Sequence, residues 1–110
     1  MAFGLNIFKT VTADLITQGA ELYTAPAGYS AIVLSAQISN ITGTTQTVTM
    51  SVLNDDSTET ELIKDFEIPG NDSASALVGK LVLETGLGIQ ASAGANGALK
   101  IVLSILESKN

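Results

Sequence analysis

A chain of 110 residues, 45% of them hydrophobic and with a mean hydropathy of +0.37, is long enough for one ordered domain whose core needs no disulfide or metal staple. The formal net charge is −6, and the only cations are five scattered lysines, Lys9, Lys64, Lys80, Lys100 and Lys109. Phosphate recognition needs clustered positive charge, so nucleic acid and anionic membrane surfaces are excluded as partners. With no cysteine, histidine or arginine, the sequence offers no disulfide, no Ser-His-Asp or Cys-His nucleophile, no zinc site of the usual ligands and no bidentate phosphate clamp.

In chain order, Phe3, Leu5, Ile7 and Val11 fall in a loose alternation while Phe8 lies on the other side. Residues 1–19 therefore read either as an N-terminal arm that packs on a neighbouring subunit or as an edge strand, and residues 20–110 as a β-sandwich domain. MAFGLNIFKT lacks the basic and apolar regions of a secretory signal, and runs such as Ala31–Leu34 are too short to span a bilayer, which predicts a soluble chain. Asp14–Gly19 is a loop, too short for a helix, and Ala20–Ala25 is a short strand.

Pro26 and Gly28 then turn the chain into Tyr29–Asn40. In this strand Ile32, Leu34, Ala36 and Ile38 fall on every second position, predicting an inward face, with Val33 on the opposite one. Thr47–Leu53 follows a Thr42–Thr45 turn and alternates with Val48, Met50 and Val52 inward, which predicts an antiparallel hairpin with Tyr29–Asn40. After the polar turn Asn54–Glu59, the stretch Glu61–Ile68 places Leu62, Phe66 and Ile68 on one face, broken by Lys64. Pro69–Asp72 is a turn, and Ser73–Leu77, Lys80–Glu84 and Gly88–Ala93 are short strands. Gly94–Gly97 carries Asn-Gly, a hairpin signal. Ala98–Leu106 closes the domain with Leu99, Ile101, Leu103 and Ile105 inward and Val102 and Leu106 outward, and Glu107–Asn110 reads as a frayed tail. About eight strands at roughly ten-residue spacing predict an all-β protein, a single antiparallel β-sandwich of jelly-roll type.

Few residues carry chemistry. Asp55, Asp56, Glu59 and Glu61 are oxygen ligands of the type calcium takes, but they lack the spacing and central glycine of an EF-hand loop. They read as a solvated hairpin tip, with calcium as the alternative. Gly86-Leu-Gly88 is only a fragment of a dinucleotide-binding motif, and a Ser-Lys dyad or carboxylate pair has no signature, so the sequence predicts no enzyme and no cofactor. Asn40-Ile-Thr42 and Asn71-Asp-Ser73 match the glycosylation sequon by chance. Tyr23 and Tyr29 pack over the Pro-Gly turn or stack on a sugar ring. Val33, Val102 and Leu106 are more informative: apolar residues on outward faces call for cover by a neighbouring subunit, a short helix or a loop. Together with Phe3, Leu5, Ile7 and Phe8 they form the candidate interaction set.

Read together, Tyr23–Gly28 (a Y-x-x-P-x-G turn) and Ser30–Leu34 (of the type [ST]-A-I-V-L) resemble a class of small β-sandwich virion structural proteins of tailed bacteriophages. The pattern continues through the Thr/Val-rich Thr45–Leu53, the polar turn Asn54–Glu59, Leu62–Pro69 ending in Ile-Pro, and Leu81–Glu84. The resemblance spans about residues 20–107 and supplies no diagnostic site residues. It implies a non-enzymatic role in the virion, assembled in the host cytoplasm, first as a capsid decoration or cement protein. The alternative it implies is a neck, tail or fibre component, which would act as a carbohydrate- or receptor-binding module. The partners it implies are the chain itself, as a homo-trimer or other symmetric oligomer, and other virion proteins such as the major capsid protein.

Overall fold

The computed structural model describes residues 6–110, which form nine strands and no helix. These are β1 (Asn6–Asp14), β2 (Ala20–Thr24), β3 (Tyr29–Asn40), β4 (Gln46–Leu53), β5 (Glu59–Ile68), β6 (Ser73–Ser75), β7 (Leu81–Leu83), β8 (Gly88–Ala93) and β9 (Leu99–Lys109). One sheet runs β1-β9-β3-β6, with β7 also pairing β3, and the other runs β2-β8-β4-β5. All pairings are antiparallel. The short β6 and β7 lie end to end on one edge of β3, so they are a single broken strand. The connectivity is then that of an eight-stranded jelly roll.

The two sheets bury a continuous core of aliphatic side chains, led by Ile38, Met50, Ile68, Leu83, Ile89, Leu99, Ile101, Leu103 and Ile105. β9 lies at its centre. Its odd-numbered residues face inward from Leu99 to Glu107, and its even-numbered residues face outward, as a pleated strand with one wet face requires. The alternation does not stop at Leu106. β9 continues to Lys109, and Asn110 is pinned by its N–H to Gly28 O and by its side chain to Ser30 and Thr85, so Glu107–Asn110 is no frayed tail.

β3 departs from simple alternation. A bulge inserts Leu34 opposite β9, since Val33 pairs Ile105 and Ser35 pairs Ser104. One extra residue reverses the faces on its N-terminal side. Ala36 and Ile38 point inward as expected, but on the other side of the bulge the core residues are Ala31 and Val33, while Ile32 faces outward. Val33, 0% exposed, therefore belongs to the core and not to an outward interaction face. A second bulge, at Lys64–Asp65 with Asp65 at φ 49°, explains the broken pattern of β5.

The expected hairpin between β3 and β4 does not form. β3 pairs β9, β6 and β7, while β4 pairs β5 and β8 in the other sheet. Asn40 makes the corner between them: buried, it donates from Nδ2 to Thr44 O and Ile68 O, at 2.8 and 2.9 Å. Its Oδ1 accepts from the Thr42 N–H and hydroxyl. A side chain with all four hydrogen bonds made inside the protein replaces the strand-to-strand hydrogen bonds that a hairpin would have offered, and cannot carry a glycan. Gly94–Gly97 likewise joins β8 in one sheet to β9 in the other and is not a hairpin. There, Leu15 and Gly97 hydrogen-bond, and Leu15 is buried in the core.

Candidate interaction face

The outward face of the β1-β9-β3-β7 sheet carries an apolar row. Phe8 pairs Leu106, Leu106 pairs Ile32, and Ile32 pairs Val82, so four side chains line up across four strands. Leu106 and Ile32, in the middle, are half-buried, whereas Phe8 at one end is 75% exposed and Val82 at the other 63%. The flanking rows are uncharged: Asn6, Ser108 and Ser30 on one side, Thr10, Ser104 and Ser35 on the other. The next row, Thr12, Val102, Gln37 and Ser75, is uncharged too, with Val102 41% exposed. On β1, β9 and β3 charge returns only at the fifth row, where Lys100 and Asp14 pair with each other at 2.8 Å, while at the β7 edge the exposed Lys80 and Glu84 flank Val82.

The outward face of the other sheet contrasts with this. It presents Thr47 and Thr49 on β4, Gln90 and Ser92 on β8, and Glu61 and Glu67 on β5. One face of the sandwich is apolar and uncharged, and the other is polar and acidic.

Of the residues expected to interact, Phe8, Val102 and Leu106 lie together on the uncharged face. Ile7 pairs Glu107 and so points to the inward side of β1, 38% exposed. Phe3 and Leu5 lie outside the described residues. Ile32 and Val82 were not expected on this face. The bulge hid Ile32, and Val82 belongs to a strand too short to show alternation.

Glu107 was also missed, although the period of two in β9 runs straight to it. It is buried between the sheets, where its Oε2 accepts from the Tyr23 hydroxyl of β2 at 2.5 Å and sits 3.3 Å from Lys9 Nζ of β1. A buried carboxylate needs such partners, because an unpaired buried charge or an unmet hydrogen bond costs free energy. Burial first, then the hydrogen bond to Glu107 and its negative charge, push the Tyr23 phenol well above its ordinary value. A buried, bonded Tyr23 is not free to stack on a sugar.

The acidic loop is self-contained. Asp56 Oδ1 accepts from the Thr58 N–H and hydroxyl, which hold its carboxyl below the usual range, and Asn54 donates to Thr58 and Thr60. Among the described residues no three acidic side chains converge on one point, so the structure does not bring Asp55, Asp56, Glu59 and Glu61 together as a cluster. The described surface also forms no pocket.

No protein-family model matches the chain, and no curated protein matches it in sequence. Solved structures do match. The chain is similar to a subunit of the Bacillus endospore appendages, a family of disulfide-linked pili, with 15% identity over 96% of this chain and 87% of that one and a TM-score of 0.58. It is also similar to a chain from the acid-stable capsid of Helicobacter pylori bacteriophage KHP30, with 14% identity over 97% and 90% and a TM-score of 0.54. A third likeness, to infectious bursal disease virus strain Gx, covers 94% of this chain and 32% of that one at 10% identity, with a TM-score of 0.51. At these identities the likeness is one of fold, a two-sheet antiparallel sandwich shared by chains of viral capsids and pili.

Proposed function

We propose that this protein is a non-enzymatic structural component of a tailed-phage virion, and specifically a capsid decoration or cement protein. The observation that carries the reading is the uncharged outward face with its Phe8–Leu106–Ile32–Val82 row. Apolar side chains left open on one sheet face of a small sandwich are a surface for a neighbouring protein. The jelly-roll fold, shared with a phage capsid chain, supports the same reading. A disulfide-linked filament is disfavoured, because these 110 residues contain no cysteine. The partners are other copies of the chain, in a symmetric oligomer, and the major capsid protein.

The test is on particles. Mass spectrometry of purified virions and a density map of the particle are expected to place the chain on the capsid shell, and purified chain is expected to co-sediment with shells. Density at the neck, tail or fibre moves it to the alternative position. Absence from the particle, with no binding to shells, overturns the reading.

A further inference from the structure

We propose that the uncharged face is where two copies of this chain meet, related by a two-fold axis parallel to the strands, with Phe8 of each copy against Val82 of the other. The inference rests on the self-association in the reading above and gives it a face and a symmetry. The choice of occupant follows from charge. A chain of net charge −6 repels its own kind wherever acidic groups meet, and the outward face with Glu61 and Glu67 does so. The other outward face removes that obstacle, because four successive rows across β1, β9 and β3 contain no ionisable side chain. Across β1, β9 and β3 a charged partner finds no counter-charge, and at the β7 edge Lys80 and Glu84, one of each sign, offer no net charge to a nucleic acid or an anionic lipid. A second copy brings an identical uncharged face.

The axis direction follows from size. The row begins with a large residue at the β1 edge and ends with a small one at the β7 edge, roughly 14 Å away at the spacing of paired strands. An axis along the row would set Phe8 on Phe8 and Val82 on Val82, wedging the sheets apart at one side and leaving a gap at the other. An axis along the strands sets large against small at both ends, with Leu106 and Ile32 at the centre. The two sheets then pack face to face at a uniform separation of about 10 Å. The contact is self-complementary, as a two-fold interface must be. Lys80 and Glu84, two residues to either side of Val82, then meet only the uncharged surroundings of Phe8. Four rows by four strands make a face of roughly 500 Å² per copy at ordinary strand and residue spacings. That is the low end of specific interfaces, so dissociation in the micromolar range is expected.

Sedimentation equilibrium of the purified chain from micromolar to millimolar concentration provides the test, with Phe8→Lys, Val82→Glu and the double variant beside the wild type. Both positions are exposed, so the fold is retained, and circular dichroism checks this. The wild type is expected to dimerise, each single variant to weaken the dimer at least tenfold, and the double variant to recover it, since lysine of one copy then faces glutamate of the other. A double variant as weak as the singles, a monomeric or trimeric wild type, or singles that dimerise normally would each overturn the proposal. Binding to capsid shells is scored separately: monomeric variants that still bind leave the decoration reading intact, and a dimer that binds no shell counts against that reading alone.

Discussion

Tyr23 and Glu107 tie the two sheets together across the interior, the phenol of β2 donating to the carboxylate of β9 at 2.5 Å. Lys9, reaching in from β1 at 3.3 Å, supplies the compensating charge. One buried acidic side chain thus links three strands near the C-terminal end of β9. Tyr23→Phe removes the donor and leaves Glu107 with its lysine alone, at a cost of about 1–3 kcal/mol in urea denaturation. Glu107→Gln keeps an acceptor for the phenol and loses the attraction to Lys9. A double-mutant cycle on the pair is expected to show coupling above about 0.5 kcal/mol.

The same contact has a signature in pH. The folded state raises the Tyr23 pKa above its ordinary value of 10.0. Below that value both folded and unfolded states hold the proton and the contribution is complete. Above it the unfolded phenol ionises first, so stability falls as pH rises. Denaturation midpoints measured between pH 8 and 11 are expected to decline over the upper part of this range, and Tyr23→Phe is expected to flatten that decline.

Asn40 is the second polar group on which the architecture depends. Asn40→Ala deletes four hydrogen bonds and strands the Ile68 carbonyl at the corner between β3 and β4. The expected loss is about 2–4 kcal/mol. In a domain of this size that lowers Tm by roughly 10 °C or more, which thermal circular dichroism reads directly.

Next to this corner, two glycines behave oppositely. A Cβ on Gly70 would lie 2.4 Å from the Gly43 carbonyl carbon and 2.8 Å from Thr44 N, backbone atoms that cannot move aside without opening the corner, whereas a Cβ on Gly43 meets nothing within 4 Å. Gly70→Ala is expected to destabilise by about 1–3 kcal/mol, and Gly43→Ala to stay within about 0.5 kcal/mol of wild type. Equal losses in chemical denaturation would show that the close approach of the two turns is unimportant.

The acidic hairpin tip is expected to ignore calcium. Asp56 is occupied by Thr58, whose hydroxyl and N–H hold its carboxyl below the ordinary 3.8. That stabilisation is complete above 3.8 and is lost as pH falls from there. In an NMR titration Thr58→Val is expected to raise Asp56 part of the way back toward the ordinary range, the Thr58 N–H bond remaining, and millimolar calcium to leave the signals of Asp55, Asp56, Glu59 and Glu61 in place.

The strands themselves were largely readable in the sequence, because each is a run of alternating or β-branched residues set off by Gly, Pro and Asn. Tyr29–Asn40 and Gly88–Ala93 fall where their composition puts them. What the sequence concealed is non-local. A short turn after β3 reads alike whether the chain folds back as a hairpin or crosses to the other sheet, and only the contacts of Asn40 with Ile68 decide. The bulge at Leu34 is equally silent, since Ile32, Val33 and Leu34 are interchangeable in hydrophobicity. The face they occupy is set by the register with β9, whose partner residues lie about seventy positions away. The outward row was half visible for the same reason: Leu106 and Phe8 stand out locally, while Ile32 becomes part of it only once the bulge is known.

The bulge makes its own prediction. If it sets the faces of β3, Val33 and Val102 are opposite kinds of residue despite identical side chains: Val33 is sealed between the sheets, and Val102 stands in the uncharged outward face, 41% exposed. Val33→Ala is then expected to cost about 2–3 kcal/mol through lost burial and the cavity left behind. Val102→Ala is expected to cost less than about 1 kcal/mol, since much of that side chain is in water already. Replacement by aspartate separates them further. Val33→Asp places an unpaired carboxylate in the core and is expected to abolish cooperative unfolding, whereas Val102→Asp is expected to keep the fold. Urea denaturation of the four variants decides the matter, and a Val33 series as mild as the Val102 series would mean that the strand follows simple alternation through Leu34 after all.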